Sequence, residues 1–99
     1  MNRHAQFKFR LYIAGDAQNS AQAVTNLNML CRTHFADRHH IEIVDVFRDP
    51  KRALADAIFM TPTLLKLGPA PVRKIVGTLS QTVPVLQALG LEVHQTLAA

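Results

Sequence analysis

The clearest pattern in the chain is the alternation of apolar and polar residues near its start. Within residues 7–13 every second position is apolar, which predicts a half-buried strand with one side formed by Phe7, Phe9, Leu11 and Ile13. After a polar turn, Asn19 or Ser20 is the predicted N-cap of a helix. Apolar residues then recur at intervals of three and four, which predicts a helix of about four turns that ends near His34 or Phe35.

The next segments predict a second strand and a short helix. Residues 36–40 form a predicted polar turn, and the β-branched run at 41–47 is typical of a strand buried on both faces between parallel neighbours. The two strands of the resulting βαβ unit are expected to be parallel neighbours or near neighbours, joined by a right-handed crossover. Residues 51–59 then predict a helix that begins near Pro50, because proline suits the first helical position.

The second half of the chain carries conflicting signals. Residues 61–67 and 72–76 predict two strands, although the first contains Pro62. A turn rich in glycine and proline at 68–71 joins them, so the simplest interpretation is a β-hairpin.

A last helix is predicted between the N-cap Ser80 and Gly90. Pro84 lies about one turn inside this helix and is expected to weaken its first turns. Residues 91–99 have no strong pattern and are expected to be loosely held. The complete order, βαβαββα, predicts an α/β, thioredoxin-like fold in a single domain over residues 1–99.

Composition narrows the class of protein without adding a site. The 99 residues include 11 basic and 7 acidic side chains, a net charge of +4 and 48% apolar residues, which predicts one soluble domain with its own core. No run of about 18 apolar residues is present to span a membrane, and the lone Cys31 fits a reducing cytoplasm. The pI of 9.9 invites nucleic-acid binding, but the basic residues are spread along the chain, so a nucleic-acid partner is not expected.

The cysteines that a thioredoxin-like enzyme uses for catalysis are missing from the turn after the first strand. A thioredoxin-like redox enzyme needs Cys-X-X-Cys at the turn after the first strand, but residues 15–20 hold no sulfur. A dithiol oxidoreductase is therefore excluded, and Cys31 is predicted to be a packing residue on the apolar face of the first helix. No glycine-rich phosphate loop is present, so no cofactor is expected. No metal site is expected either. His39 and His40 are adjacent, and adjacent side chains in a strand point to opposite faces, so these two cannot readily share one ion. The other histidines are His4, His34 and His94.

Several short motifs, in a fixed order and spacing, resemble those of the circadian-clock protein family KaiB. They are Leu11-Tyr12-Ile13-Ala14-Gly15, Asn19-Ser20, Val44-Asp45-Val46, Asp49-Pro50, Thr61-Pro62-Thr63-Leu64 and Pro71-Val72-Arg73-Lys74-Ile75-Val76-Gly77. The resemblance extends over residues 7–91. The N-terminal sensor domain of the SasA histidine kinases is a related family.

The resemblance implies a metamorphic protein. KaiB proteins have a tetrameric ground state with the arrangement βαββααβ and a rare thioredoxin-like monomer, so the two packings must differ by only a few kcal/mol. The monomer binds the N-terminal ring of the hexameric ATPase KaiC and competes there with SasA-type kinases. The expected function is therefore that of a cytoplasmic, non-enzymatic regulator that binds a KaiC-like ring ATPase and modulates clock or stress-response signalling. Self-association into a dimer or tetramer is also expected.

Two other functions remain open at this point. The first is an adaptor or competitor of a SasA-type histidine kinase in a non-circadian pathway. The second is a purely structural oligomer whose ground state is its only state. Binding to a ring ATPase, and competition with a kinase sensor domain, distinguish these functions.

Three of the four predicted partner-binding residues are basic. Arg73 and Lys74 occupy the basic motif of the resembled family, and Lys66 and Pro71 complete the predicted contact with an acidic surface. The alternative is a solvated edge strand that positive charge protects from aggregation.

Five residues are predicted to take part in the fold switch. Thr61, Pro62 and Thr63 resemble the segment that carries a cis-proline in thioredoxin-like proteins, although an X-Pro bond is trans by default. Where the resembled family reads Gly-Leu-Asp-Leu, this chain has Ala88, Leu89, Gly90 and Leu91. Alanine favours a helix over glycine by about 0.8–1 kcal/mol, and Gly90 favours a helix end just after it, so Ala88 is expected to shift the balance toward the thioredoxin-like form.

Overall fold

A computed structural model describes residues 6–90 and shows the predicted order of elements, βαβαββα. The strands in this part of the chain are β1 (Phe7–Ile13), β2 (His39–Asp45), β3 (Thr63–Gly68) and β4 (Arg73–Val76). The helices are α1 (Gln18–His34), α2 (Pro50–Ala55) and α3 (Thr82–Ala88). The arrangement is the predicted thioredoxin-like one. The predicted loose tail at 91–99, Leu91 of the last motif and the residues His4 and His94 lie outside the described residues.

The four strands form one sheet in the order β2-β1-β3-β4. Strand β1 pairs in parallel with β2, where Phe9 faces Ile41 in the register, and antiparallel with β3, where Leu11 faces Leu64. Strands β3 and β4 are antiparallel, so both the parallel pair and the hairpin predicted from the sequence are confirmed.

The core has two parts because the side chains of β1 alternate between the two faces of the sheet. On one face Phe9 and Leu11 pack beneath α1 and α3, together with Leu27, Cys31, Leu64, Leu86 and Leu89. On the other face a smaller cluster lies beneath α2 and contains Tyr12, Val44, Ala53, Ile58 and Leu65. Full burial of a leucine, phenylalanine or valine side chain stabilises the fold by about 1.5–3 kcal/mol relative to leaving it exposed. The alternation of side chains along residues 7–13 therefore determines which β1 residues pack beneath α1 and α3 and which pack beneath α2.

Strand β2 differs from its prediction in both position and burial. It begins at His39, inside the segment predicted to be a turn, and ends at Asp45. It lies at the edge of the sheet, so Ile43 is 42% exposed and only Val44 of the strand is buried. The prediction of a strand buried on both faces is wrong because β3 occupies the other side of β1, so that among residues 6–90 β2 pairs with β1 alone.

The helices begin and end at residues other than the predicted ones. Helix α1 begins at Gln18, and the hydroxyl of Ser20 accepts a hydrogen bond from the Ala14 N–H at 3.0 Å, so Ser20 is not its cap. Helix α2 ends at Ala55 instead of residue 59, because Ala57 adopts a φ of 56° and turns the chain toward β3.

Helix α3 begins later than predicted, with Gln81 rather than Ser80 at the N-cap position. Pro84 is consequently the third residue of the helix, where a backbone N–H would have no acceptor within the helix, and the expected weakening does not apply. The predicted stop is confirmed: Gly90 has a φ of 86°, and its N–H donates to the Gln87 carbonyl at 2.9 Å. No helix within residues 6–90 has the length and apolar character needed to cross a bilayer.

Candidate functional site

The candidate site lies at the end of the sheet where β1 and β2 finish and β3 begins. Asp45, the last residue of β2, accepts hydrogen bonds through Oδ1 from the backbone N–H of Gly15 at 3.1 Å and of Phe47 at 2.9 Å. One carboxylate therefore fixes the loop after β1 against the loop after β2. This gives a physical role to the aspartate in the Val44-Asp45-Val46 motif.

Gly15 supports the aromatic ring that dominates this site. Its φ of 56° favours glycine, and a Cβ atom at this position would lie 3.5 Å from Cδ2 of Phe47. The ring of Phe47 therefore lies directly over the backbone of the first loop, yet 74% of the residue remains exposed. The two loops therefore fix the backbone around Phe47 while leaving its ring exposed to solvent.

Two further apolar residues extend the exposed area. Phe59 is 84% exposed and Met60 is 63% exposed, and both border the same shallow depression as Phe47. Phe47, Phe59 and Met60 together make up the apolar surface of this site. Contiguous exposed apolar groups of this kind mark interaction sites in soluble domains. Sequence analysis did not identify this surface, although the apolar run before Thr61 was a signal that could have found it.

Of the predicted fold-switch residues at the start of β3, Thr61 borders the apolar surface, and Pro62 and Thr63 follow it as buried residues. The Thr61–Pro62 peptide bond is cis, rather than trans as by default. The hydroxyl of Thr63 donates to the Met60 carbonyl at 2.6 Å, and the Pro62 carbonyl accepts from the Gly77 N–H at 2.9 Å. This segment therefore connects the apolar surface to the end of β4.

An ionic network holds α2 against the sheet beneath this site. Arg10 on β1 donates through Nε to Glu42 at 2.8 Å and through a terminal nitrogen to Asp56 at 3.0 Å. Arg52 on α2 pairs with the other oxygen of Glu42 at 2.8 Å. The hydroxyl of Tyr12 donates to the Asp56 carboxylate. Four charged groups from β1, β2, α2 and the turn after α2 thus position the helix that precedes Phe59.

The network lowers the pKa values of its two carboxyl groups. Hydrogen bonds from Arg52 and then Arg10 lower the pKa of Glu42 to about 2. The hydrogen bond from Tyr12 is the largest influence that lowers the pKa of Asp56, and Arg10 adds to it. Both carboxylates therefore stay ionised over the whole physiological pH range.

The predicted basic contact residues do not form a single patch. Lys66 and Arg73 are register partners on the α3 side of the sheet, whereas Lys74 lies opposite Leu65 on the α2 side. Lys66 is only 2% exposed, and burial, followed by the charge of Arg73, lowers the pKa of its ammonium group. In this fold Lys66 is therefore not available to an outside partner. Pro71, immediately before β4, is exposed.

The other predicted residues of the β4 region have structural partners. Lys74 donates through Nζ to the Ala57 carbonyl at 3.1 Å and reaches the Asp56 carbonyl at 3.4 Å, so it binds the chain where α2 ends. The guanidinium of Arg73 lies against Gly90, just beyond α3. Ala88 is the last residue of α3 and is exposed.

Thiol chemistry is absent from the corresponding position of this fold. The turn from Gly15 to Ser20 holds no sulfur, and Cys31 is fully buried within α1. Burial raises the pKa of the Cys31 thiol to about 12, so the prediction of a packing role is confirmed. Among residues 6–90, no group of three or more His, Cys, Asp and Glu side chains could hold a metal ion.

Solved structures place this fold in the thioredoxin-like class. The N-terminal domain of Synechococcus elongatus SasA superposes with a TM-score of 0.68 at 19% sequence identity, covering 87% of this chain and 85% of that one. The Drosophila melanogaster thioredoxin Deadhead gives a TM-score of 0.68 at 12% identity, covering 84% and 79%. The class is therefore a thioredoxin-like domain whose first turn lacks the thiol pair.

Sequence comparison identifies the family. The KaiB domain matches residues 10–91, so the chain belongs to the KaiB family. The circadian clock protein KaiB3 of Synechocystis sp. is 42% identical over 84 residues, which cover 85% of this chain and 80% of that protein. The circadian clock oscillator protein KaiB of Acaryochloris marina is 41% identical over 85 residues, covering 86% and 82%. Family membership supports a regulatory role of the clock-protein type.

Proposed function

We propose that this protein is a non-enzymatic regulator that binds a KaiC-type hexameric ring ATPase through the apolar surface and modulates clock or stress-response signalling. The observation that carries the proposal is the exposure of Phe47, Phe59 and Met60 on a scaffold that hydrogen bonds hold rigid. Family membership supplies the class of partner, and the geometry of this chain supplies the surface.

The apolar surface has the properties of a binding hot spot. A few clustered residues contribute most of the binding energy of a protein interface, and aromatic residues and methionine are enriched in interfaces. The surface is preorganised, because Asp45 fixes the loop that carries Phe47 and Thr63 fixes the carbonyl of Met60. Binding therefore orders little additional backbone, which reduces the entropic cost of association.

Truncation of Phe59 tests the proposal. Burial of a phenylalanine side chain contributes about 1.5–3 kcal/mol, so Phe59→Ser is expected to weaken binding by about tenfold or more. The labelled protein is titrated with an ATP-loaded KaiC hexamer, and binding is followed by fluorescence anisotropy. Because Phe59 is 84% exposed, the variant is expected to keep the thermal stability of the wild-type protein.

Met29 offers a matched control on another face. It is 54% exposed on α1 and is not part of the apolar surface, so Met29→Ser removes exposed apolar area from a different face. The control is expected to bind like wild type. Equal affinity of the Phe59 variant, the Met29 variant and the wild-type protein would contradict the proposal.

Competition with a kinase sensor domain is a second candidate function, which the fold similarity to the SasA N-terminal domain favours. Two domains of the same fold can present the same end of the sheet to one ring. A SasA sensor domain added to the preformed complex is expected to displace this protein in proportion to its concentration. Simultaneous binding of both proteins to the same ring subunit would count against this candidate.

A further inference from the structure

Strand β4 is an edge of the sheet with a defined set of outward-facing backbone groups. Within residues 6–90 its neighbour in the sheet is β3 alone. The hydrogen bond from Gly77 N–H to the Pro62 carbonyl fixes the phase of the antiparallel ladder. Because hydrogen-bonded pairs alternate along such a ladder, Arg73 and Ile75 are bonded to β3. The N–H and C=O groups of Lys74 and Val76 therefore point away from the sheet.

This edge lies in a long stretch of the chain whose charged side chains are all positive. Residues 57–90 contain no aspartate or glutamate but three basic residues, Lys66, Arg73 and Lys74. Because neighbouring residues of a strand point to opposite faces, Arg73 and Lys74 place positive charge on both sides of the edge. Val76 is 50% exposed and Val72 62% exposed, so apolar contact area adjoins the charges.

We propose that the β4 edge binds an extended acidic segment of a partner protein as a fifth strand. The outward N–H and C=O groups of Lys74 and Val76 supply the main-chain hydrogen bonds of strand addition. Acidic side chains on opposite faces of the incoming strand meet Arg73 and Lys74, which gives the edge its preference for negative charge.

Charge distinguishes this occupant from a second copy of the chain. Two β4 strands paired with each other would bring two Arg73 and two Lys74 side chains together. Like charges on directly paired strands destabilise the pairing. The opposite edge, β2, carries Glu42 and Asp45 and is therefore less suited to an acidic segment. The preference for β4 over β2 is a consequence of the uneven charge distribution and does not depend on the proposed binding of a ring ATPase.

Titration with designed peptides tests the proposal. The probe is a ten-residue peptide in which pairs of valines alternate with pairs of glutamates, so that a bound strand carries glutamate on both of its faces. The comparison peptide has lysine in place of every glutamate. The acidic peptide is expected to bind at least about tenfold more tightly, and the difference is expected to shrink as salt is added. Amide hydrogen exchange, resolved by residue, is expected to slow at Lys74 and Val76 in the complex. Equal binding of the two peptides, or slowing at the β2 edge instead, would overturn the proposal.

A proline substitution separates strand addition from general charge attraction. Val76→Pro removes one outward N–H while leaving the bonds between β3 and β4, the basic side chains and the net charge unchanged. Binding of the acidic peptide is expected to fall about tenfold, whereas Val76→Thr, which keeps the N–H, is expected to bind like wild type. Exchange at Lys74 in the wild-type protein gives an independent result if the proline variant does not fold. Undiminished binding by a folded proline variant would show that no fifth strand forms.

Discussion

Replacement of Gly90 by alanine tests how the end of α3 fits against β4. Gly90 has a φ of 86°, and a Cβ atom there would lie 3.3 Å from Nε of Arg73. A residue with a side chain pays about 1–2 kcal/mol to adopt this left-handed region. The long Arg73 side chain can move by a few tenths of an ångström, so the contact adds little. The predicted loss of stability is therefore about 1–2 kcal/mol.

Thermal unfolding followed by circular dichroism measures this loss. A change of 1 kcal/mol shifts the melting temperature of a domain of this size by about 4–8 °C, so the expected decrease in Tm is well above experimental error. Gly68→Ala is the control, because no atom lies within 4 Å of its Cβ position and its φ is outside the positive range. This control is expected to unfold at the wild-type temperature or slightly above it.

The double variant Arg73→Ala/Gly90→Ala distinguishes backbone strain from side-chain contact. If strain dominates, Gly90→Ala costs nearly the same with and without the Arg73 side chain. Full recovery in the Arg73→Ala background would refute the strain argument, as would an unchanged melting temperature for the single Gly90 variant.

Three further predictions follow from individual side chains. Ala88→Gly disfavours the helical conformation at the end of α3 by about 0.8–1 kcal/mol and is expected to shift the protein toward larger oligomers. Light scattering measures the molar mass, and a mass equal to that of wild type would contradict the role given to Ala88. The pKa of Glu42 is lowered to about 2 from its ordinary 4.5, so its ion pairs stabilise the fold above pH 4.5 and are lost as the pH falls toward 2. Denaturant unfolding across this pH range is expected to show that loss in wild type and a weaker pH dependence in Glu42→Gln. Cys31, with a pKa of about 12, is expected to resist iodoacetamide at about pH 8 until the protein is unfolded, and rapid labelling of the native protein would contradict its burial.

The local patterns of the sequence were sufficient to predict the order of elements. Alternation over residues 7–13 predicted β1 and its buried side, and the conflicting signals around Pro62 still indicated the hairpin of β3 and β4. The edge position of β2 was not predictable from its own residues, because the number of neighbours of a strand depends on where β3 enters the sheet.

The candidate site was less accessible to sequence analysis because its residues are distant in the chain. Arg10 and Asp56 are 46 positions apart, and nothing in either local pattern indicates that they meet. The division of Arg73 and Lys74 between two faces was implicit in the predicted strand, since neighbouring side chains alternate. The burial of Lys66 required knowledge of the register with Arg73 and of the packing of α3.

The most direct test of the central claim is a hydrogen-exchange map of this protein bound to an ATP-loaded KaiC hexamer. Exchange is expected to slow in the loops at 46–49 and 58–61, which carry Phe47, Phe59 and Met60, while the exposed face of α1 around Met29 exchanges as in the isolated protein. A complex in which those loops exchange at their unbound rates and another surface is protected would contradict that claim.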